Sequence, residues 1–187
     1  MERRSKLIYD VLDTPLGPLW MVSAPDGLCF LHWGGTESGL IKRARTETGL
    51  IPKRDPGPLN PWRGKLDRYF SGEKVLFDAP ISFLIGTPFQ KKVWRKMSEI
   101  PRGEVRSYRW IADRLGHGRA ARAVGNACGR NPLPVVLPCH RVVRQDGSLG
   151  GYTGGLGIKK RLLAIEGMDS QKRGNEPFID VNSLKGK

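Results

Sequence analysis

Residues 107–128 read SYRWIADRLGHGRAARAVGNAC, two short helical patterns separated by a turn with two glycines. Ser107 is placed to cap the first helix, and we predict a second helix over residues 119–128. Two short helices joined by a glycine-containing turn are typical of the helix-turn-helix. In that arrangement Arg119 and Arg122 reach phosphates or base edges. A plain helical hairpin without DNA binding fits the same pattern.

Further helical patterns flank this motif. Thr87-Pro88-Phe89-Gln90 combines a cap, a first-turn proline and a reciprocal glutamine, which predicts a helix that begins here. A last helix is predicted from Leu156 to Glu166, and Gly167 is placed to end it. In the helix over 119–128, three small residues are expected to face inward: Ala123, Val124 and Ala127.

The first third of the chain contains three short apolar runs with turn signals between them. The runs are Leu7–Leu12, Leu19–Ser23 and Leu28–Trp33. Because Pro25-Asp26-Gly27 is a strong turn signal, we predict an antiparallel meander. A polar helix over 37–47 is expected next, and then a helix with Asn60 as its N-cap and Pro61 as its first residue. Val75–Phe83 is predicted to be one more strand or an extended linker.

This order of elements predicts an α+β fold with two domains. Residues 1–84 are expected to form a small α/β domain on an antiparallel sheet, with its linker. Residues 85–168 are expected to form a mostly helical domain with the helix-turn-helix. Residues 169–187 are polar, and we expect a loosely held tail.

The charge of the chain indicates a polyanionic partner. The 187 residues carry 32 basic and 18 acidic side chains, for a net charge of +14. Nucleic acid is favoured over an anionic membrane surface, although solvated basic surfaces are also common. No apolar run is long enough for a membrane span, and the N-terminus lacks the pattern of a secretory signal. We therefore expect a cytoplasmic protein, or a nuclear one in a eukaryote.

The chain has three cysteines, Cys29, Cys128 and Cys139. Because their number is small and odd, they do not indicate a disulfide framework. This favours a reducing interior. Cys29 and His32 have the spacing of a ligand pair, but no second pair accompanies them. We predict two residues of a strand here and no metal site.

The most informative segment for chemistry is NPLPVVLPCHRV, residues 131–142. An apolar run between prolines predicts a buried extended stretch that delivers Cys139 at a constrained point. A cysteine is a good nucleophile only as thiolate, which a nearby base or positive charge promotes. Because successive residues of an extended chain point in opposite directions, we expect a water to carry the proton to His140. Glu166 is a candidate to orient the imidazole; a buried structural cysteine is the alternative.

Residues 138–142, Pro-Cys-His-Arg-Val, resemble the active-site signature of the O6-alkylguanine-DNA alkyltransferases. The resemblance extends from about Thr87 to Gly167 and includes four further blocks in matching order and spacing. These blocks are Gly103–Tyr108, Ala120–Gly125, Asn131-Pro132 and Tyr152–Gly155. The N-terminal half is only compatible with the variable first domain of that family.

The resemblance implies a role for each matching position. Cys139 accepts the alkyl group, His140 acts as base through a water, and Glu166 orients it. Asn131 braces the turn before the nucleophile, Tyr108 lies near the flipped base, and Arg122 enters the duplex where the guanine leaves. The loop over 149–155 walls the base pocket, and it has Thr153 where the family often has serine. The implied catalytic set is Cys139, His140, Glu166, Asn131 and Tyr108; the implied substrate- and DNA-binding set is Arg122, Arg119, Tyr152, Thr153, Arg141, Ala121 and Gly125.

The resemblance implies a monomeric DNA repair enzyme, a methylated-DNA–protein-cysteine methyltransferase. It moves an alkyl group from O6-alkylguanine in double-stranded DNA to its own cysteine, in a single turnover without metal or cofactor. O4-alkylthymine is a second candidate substrate. Three alternatives remain from the residues alone: a sensor of alkylated DNA without transfer activity, a helix-turn-helix transcription regulator, and a Cys-His hydrolase with repeated turnover.

Overall fold

The computed structural model describes residues 6–168, 171–173 and 176–179. The chain divides into two compact units between Ile85 and Gly86. The first unit is built on a small sheet, and the second is mostly helical, as expected for the α+β class. Among the described helices, none combines the length and the apolar content that a membrane crossing requires.

The first unit begins with the predicted meander. Strands β1 (Ile8–Thr14), β2 (Gly17–Ala24) and β3 (Gly27–Trp33) pair antiparallel, and β4 (Lys53–Arg54) adds parallel to β1. The sheet order is β3-β2-β1-β4, so the sheet is mixed rather than purely antiparallel. Helix α1 (Glu37–Thr48) connects β3 to β4 and is capped by Thr36.

Helix α2 (Asn60–Phe70) begins differently from the prediction. A 3-10 turn over Gly57–Leu59 runs directly into it, so the N-cap position is Leu59 and no side chain caps the helix. The prediction of Asn60 as N-cap was therefore wrong. The apolar stripe of α2 is buried, and the carboxylate of Asp10 on β1 accepts a hydrogen bond from Arg63 of α2.

The segment over 75–83 forms no regular strand and pairs with the sheet at one isolated bridge. Leu28 donates its N–H to Pro80 at 3.0 Å, and Ser82 donates to Leu28 at 2.8 Å, in an isolated parallel bridge to Ile81. Gly27 permits this approach, because a Cβ there would lie 2.5 Å from the Pro80 oxygen.

The second unit contains the predicted helix-turn-helix. Helix α3 (Pro88–Met97) has the full capping box between Thr87 and Gln90. Helix α4 (Tyr108–Arg114) is capped by Ser107 as predicted, and α5 (Ala121–Gly129) follows the turn. The indole of Trp94 donates to the carbonyl of Ala127 at 2.8 Å and so joins α3 to α5.

The start of α5 and one of its faces differ from the predictions. Residues 116–120 form the turn, so Arg119 precedes the helix instead of belonging to it. Ala120 donates its N–H to the His117 carbonyl at 2.7 Å, so the turn ends at Ala120. Val124 and Ala127 are buried, but Ala123 is exposed.

Short strands and one helix complete this unit. Strands β5 (Arg106–Ser107) and β6 (Val142–Val143) pair in parallel, and helix α6 (Leu156–Ile165) follows. Strands β7 (Gln171–Arg173) and β8 (Glu176–Phe178) pair antiparallel. Ile179 is buried and donates its N–H to Gly147 at 3.0 Å, so the expected loose tail is wrong for this part. The rest of 169–187 lies outside the described residues.

Candidate active site

The segment that leads to Cys139 is buried but turned, which corrects the predicted extended stretch. Leu137 donates its N–H to Leu133, and Cys139 donates to Leu137, both at 2.8 Å. Val135 has a φ of 75°, in the left-handed region that costs a β-branched residue roughly 1–3 kcal/mol. Residues Cys139–Arg141 then form one 3-10 turn. Prolines at 132, 134 and 138 limit φ and remove donors, which favours turns over a regular strand.

Asn131 holds this turn together through its side-chain amide. Its Nδ2 donates to the Leu137 carbonyl at 2.7 Å and to Sγ of Cys139 at 3.1 Å. Its Oδ1 accepts the N–H of Leu133 at 3.0 Å. Because a donor that points at sulfur favours the thiolate over the thiol, this amide orients and activates the same atom.

His140 and Glu166 form a buried pair behind Cys139. Nε2 of His140 donates to Oε1 of Glu166 at 2.8 Å, and both side chains have no exposed area. Burial lowers the pKa of His140 despite this hydrogen bond, so the imidazole is neutral at neutral pH. Since a carboxylate can only accept, Nε2 carries the hydrogen and Nδ1 keeps its lone pair.

Glu166 also receives a two-pronged contact from Arg141. The Nε of Arg141 donates to Oε2 at 2.9 Å, and a terminal nitrogen donates to Oε1 at 2.9 Å. Burial alone would favour the neutral acid, but the hydrogen bonds from His140 and Arg141 outweigh it and hold the pKa of Glu166 below its usual value. Arg141 also donates a hydrogen bond to the Ile100 carbonyl at 2.6 Å, so its guanidinium is bonded to groups inside the protein. The predicted binding of Arg141 to substrate or DNA stays a prediction, since its guanidinium bonds here to Glu166 and Ile100.

Cys139 is 8% exposed, so its sulfur is largely shielded from solvent. Burial raises the pKa of its thiol, against the opposing effects of the Asn131 amide and the positive charge of Lys159. The site therefore does not hold the sulfur permanently ionised, and its chemistry requires a base at the moment of reaction.

A cavity of about 590 Å³ opens next to Cys139. Its lining includes Tyr108 of the predicted catalytic set and most of the predicted binding residues, namely Ala121, Arg122, Gly125, Tyr152 and Thr153. Arg109 and Arg144 line it as well, and among its described lining residues none is acidic. The exposed Arg119 is not part of this lining. A volume in this range accepts a purine base with a substituent.

Tyr108 lines the cavity, and its side chain lies close to two glycines. A Cβ on Gly150 would lie 2.8 Å from the Tyr108 hydroxyl, and one on Gly125 would lie 3.8 Å from its ring. Gly150 also has a φ of +64°, so both the backbone conformation and the lack of space for a Cβ favour glycine at this position. Burial, with the nearby cysteines, raises the pKa of Tyr108 to about 12, so its hydroxyl remains a donor.

The remaining predicted positions lie as follows. Thr153 donates its hydroxyl to the Gly129 carbonyl at 2.7 Å, which ties the loop over 149–155 to the end of α5. In the first unit, Sγ of Cys29 donates to the Val22 carbonyl at 3.2 Å in the core, and Nδ1 of His32 lies 2.8 Å from Arg43. Within the described ranges, no group of three potential ligands could hold a metal ion.

Sequence reasoning missed Lys159, a fully buried lysine on α6. Its Nζ donates to the carbonyls of Val142, at 2.6 Å, and of Leu149. The available signal was its place inside an apolar helix face, seven residues before Glu166 and therefore on the same side of the helix.

Two family models match the chain. The model described as 6-O-methylguanine DNA methyltransferase, DNA binding domain, matches residues 88–168. The model described as 6-O-methylguanine DNA methyltransferase, ribonuclease-like domain, matches residues 7–83. Together these two matches span most of the chain.

Individual relatives agree with the family models. A methylated-DNA–protein-cysteine methyltransferase of Mycobacterium bovis is 40% identical over 163 residues, covering 84% of this chain and 91% of that protein. One from Methanosarcina barkeri is 39% identical over 160 residues, covering 86% and 97% respectively. A crystal structure of Mycobacterium tuberculosis OGT in complex with DNA has a TM-score of 0.74 at 40% identity, covering 84% of this chain and 91% of that one.

Proposed function

This chain belongs to the 6-O-methylguanine DNA methyltransferase family, and we propose that it repairs DNA by moving an alkyl group from O6-alkylguanine to Cys139. It is thus a methylated-DNA–protein-cysteine methyltransferase that binds DNA. The observation that carries this proposal is one geometry: Cys139 lines a cavity of about 590 Å³, with Asn131 on its sulfur and the His140–Glu166 pair behind it.

The transfer is a displacement at the alkyl carbon. The sulfur of Cys139 forms the new S–C bond while the C–O6 bond breaks and its electron pair stays on the purine. His140 takes the thiol proton through a bridging water, because its neutral ring keeps a lone pair on Nδ1. Tyr108 supports the leaving purine as a hydrogen-bond donor, since its hydroxyl stays protonated at neutral pH. The guanine anion then takes up a proton from solvent and the protonated His140 gives its proton to solvent, so that in sum one proton passes from the sulfur to the guanine.

Each chain acts once. The product is a thioether, and a thioether is not a leaving group under mild conditions. The scheme uses no acceptor that would regenerate the thiol, and every group in it comes from one chain, so a monomer suffices.

The damaged base leaves the duplex to reach the cavity. Extrusion costs on the order of a few kcal/mol, and less for a badly paired base. Arg122, exposed near the start of α5 and on the cavity lining, fills the gap that the base leaves. The net charge of +14 supplies phosphate contacts without sequence preference, which suits damage at random sites.

The cavity also bears on substrate range. Its volume admits alkyl groups larger than methyl, and O4-alkylthymine is a further substrate that we propose. The Thr153 hydroxyl is engaged with Gly129, so its methyl group, rather than its oxygen, is the part that limits bulky adducts.

Transfer of a radiolabelled methyl group from duplex DNA to protein tests this function. We expect label on the wild-type chain and none on a Cys139→Ala variant. Cys128→Ala is the matched control, because Cys128 lines the same cavity but is hydrogen-bonded to Met97, 3.4 Å away. Clearance of O6-methylguanine by Cys139→Ala would refute the proposal. Binding without any transfer by the wild type would indicate a sensor instead.

A further inference from the structure

The chain that follows α6 returns to the wall of the candidate active site. It leaves the helix at Met168, forms the antiparallel pair of β7 and β8, and comes back at Ile179. Met168 and Ile179 belong to one apolar cluster, and Ile179 is 4% exposed. The match to the DNA-binding-domain model ends at residue 168, so this return lies outside the matched region.

The cluster flanks a turn that connects two parts of the cavity lining. Within residues 144–148, Gly147 donates its N–H to the Arg144 carbonyl at 3.0 Å, and Arg144 donates to Ser148 at 2.8 Å. Arg144 lines the cavity at the start of this turn, and Gly150 lines it shortly after the end. A shift of the turn would therefore move two parts of the cavity wall together.

Ile179 holds this turn in two ways. Its N–H donates to the carbonyl of Gly147 at 3.0 Å. Its side chain shares the apolar cluster with Val143 and Leu149, which directly precede and directly follow the turn. Because Gly147 is buried, its carbonyl needs a partner from within the protein, and Ile179 supplies that partner.

The internal hydrogen bonds of the turn set its shape but not its place. Oδ1 of Asp146 accepts the N–H of Ser148 at 2.9 Å and the hydroxyl of the same residue at 2.8 Å. These bonds join neighbours in the chain, so they would survive if the turn moved as a unit. The position of the turn depends instead on contacts with distant residues, and Ile179 supplies both an apolar contact and a hydrogen bond of this kind.

We propose that Ile179 is a positioning residue of the transfer site. It holds the turn over 144–148 in place and so keeps the cavity wall in the shape that receives the everted purine. Ile179 is not among the described residues that line the cavity, so it acts through the turn. This inference deepens the proposed function and rests on it for the meaning of the cavity, but the hold on the turn can be measured without DNA.

Amide hydrogen exchange of the full-length chain tests the hold on the turn. In Ile179→Ala, we expect the N–H groups of Arg144 and Gly147 to exchange about tenfold faster, because loss of a buried side chain weakens the structure around it. Val93→Ala is the matched control, because it truncates a buried side chain on α3 that does not belong to this cluster. Equal exchange at Arg144 and Gly147 in Ile179→Ala and the wild type would overturn the inference.

Transfer from methylated and ethylated duplexes measures the consequence for the site. One methylene in a fitted pocket changes a rate by about 10- to 200-fold. Because a loosened wall fits the small substrate less closely, Ile179→Ala should slow methyl transfer and lower the methyl-to-ethyl rate ratio by about threefold or more. Ile179→Val should restore both, and Val93→Ala should keep the wild-type ratio, since lower stability alone does not change substrate preference. An unchanged ratio in Ile179→Ala would contradict the positioning role.

A measurement on the wild type does not depend on how the variants fold. Nuclear Overhauser effects between the methyl groups of Ile179 and those of Val143 and Leu149 report the contact directly. We expect both to be observed, and the absence of both would overturn the inference.

Failure of this inference is distinguishable from failure of the proposed function. Methyl transfer by the wild type, with turn amides and a substrate ratio that do not respond to Ile179→Ala, would retain the function and remove Ile179 from it. Faster exchange of the turn amides in a chain whose wild type transfers no methyl group would retain the hold on the turn and remove the repair function.

Discussion

Replacing Glu166 with glutamine removes one charge from the centre of the site while keeping its shape. Glu166 accepts three hydrogen bonds, from Nε2 of His140 at 2.8 Å and from two nitrogens of Arg141 at 2.9 Å each. Glutamine has one acceptor oxygen and one NH₂ group, so at least one of these donors would face another donor. The imidazole can then change tautomer and lose the Nδ1 lone pair that takes the thiol proton.

Two magnitudes follow for Glu166→Gln. Loss of an oriented general base lowers a rate by about 10²- to 10⁴-fold, and we expect the transfer rate to fall in that range. Breaking a buried ion pair at one partner costs about 3–5 kcal/mol, so the free energy of unfolding also falls. Single-turnover transfer from a methylated oligonucleotide, with protein in excess, measures the first, and urea unfolding measures the second.

The matched control is Glu99→Gln, which removes an exposed carboxylate paired with Lys96. Exposed pairs contribute about 0–1 kcal/mol, so this variant should transfer and unfold like the wild type. DNA affinity should be unchanged in both variants, because Glu166 is not among the residues that line the cavity. A folded Glu166→Gln protein that transfers within about threefold of the wild-type rate would refute the role of this base.

Three further predictions concern the cavity, the DNA and pH. Gly150→Ala should lower both the melting temperature and the transfer rate, because its Cβ would lie 2.8 Å from the Tyr108 hydroxyl. Gly157→Ala, on α6 and with no atom within 4 Å of the added Cβ, should lower neither in the same two assays. Arg122→Ala should slow transfer from duplex far more than from single-stranded DNA in single-turnover assays, and equal slowing would contradict base extrusion. The pKa of Glu166 is lower in the folded protein than in the unfolded chain, so its ionised form stabilises the fold above about pH 4.5. The free energy of unfolding, measured with urea, should therefore fall as the pH drops below that value. This fall should be smaller in Glu166→Gln.

Local signals in the sequence predicted most of the fold. The capping box at Thr87, the Ser107 cap and the turn before Leu28 each depend on residues close together in the chain, and the structure confirms them. The Asn60 cap failed because the preceding 3-10 turn supplies the first helical bonds. Arg119 was assigned to α5 because nothing local separates a turn residue from the first helical residue.

The chemistry of the site was less accessible from the sequence. Cys139 and His140 were found from their neighbours in the chain, and the contact of Glu166 with His140 at 2.8 Å agrees with its expected orientation. The contact of Arg141 with Glu166 and the burial of Lys159 were not predicted, because their partners lie 25 and 17 residues away along the chain or are backbone carbonyls. A carbonyl that accepts a hydrogen bond leaves no trace in the identity of its residue.

The most direct measurement is intact-mass spectrometry of the wild-type chain after incubation with excess duplex that carries O6-methylguanine. We expect every chain to gain the mass of a single methyl group, which a tryptic digest then locates on the Cys139 peptide. The number of repaired guanines should equal the number of protein molecules and then stop increasing. Continued repair beyond one base per chain, a methyl group on another residue, or repair with no gain in protein mass would each contradict this expectation.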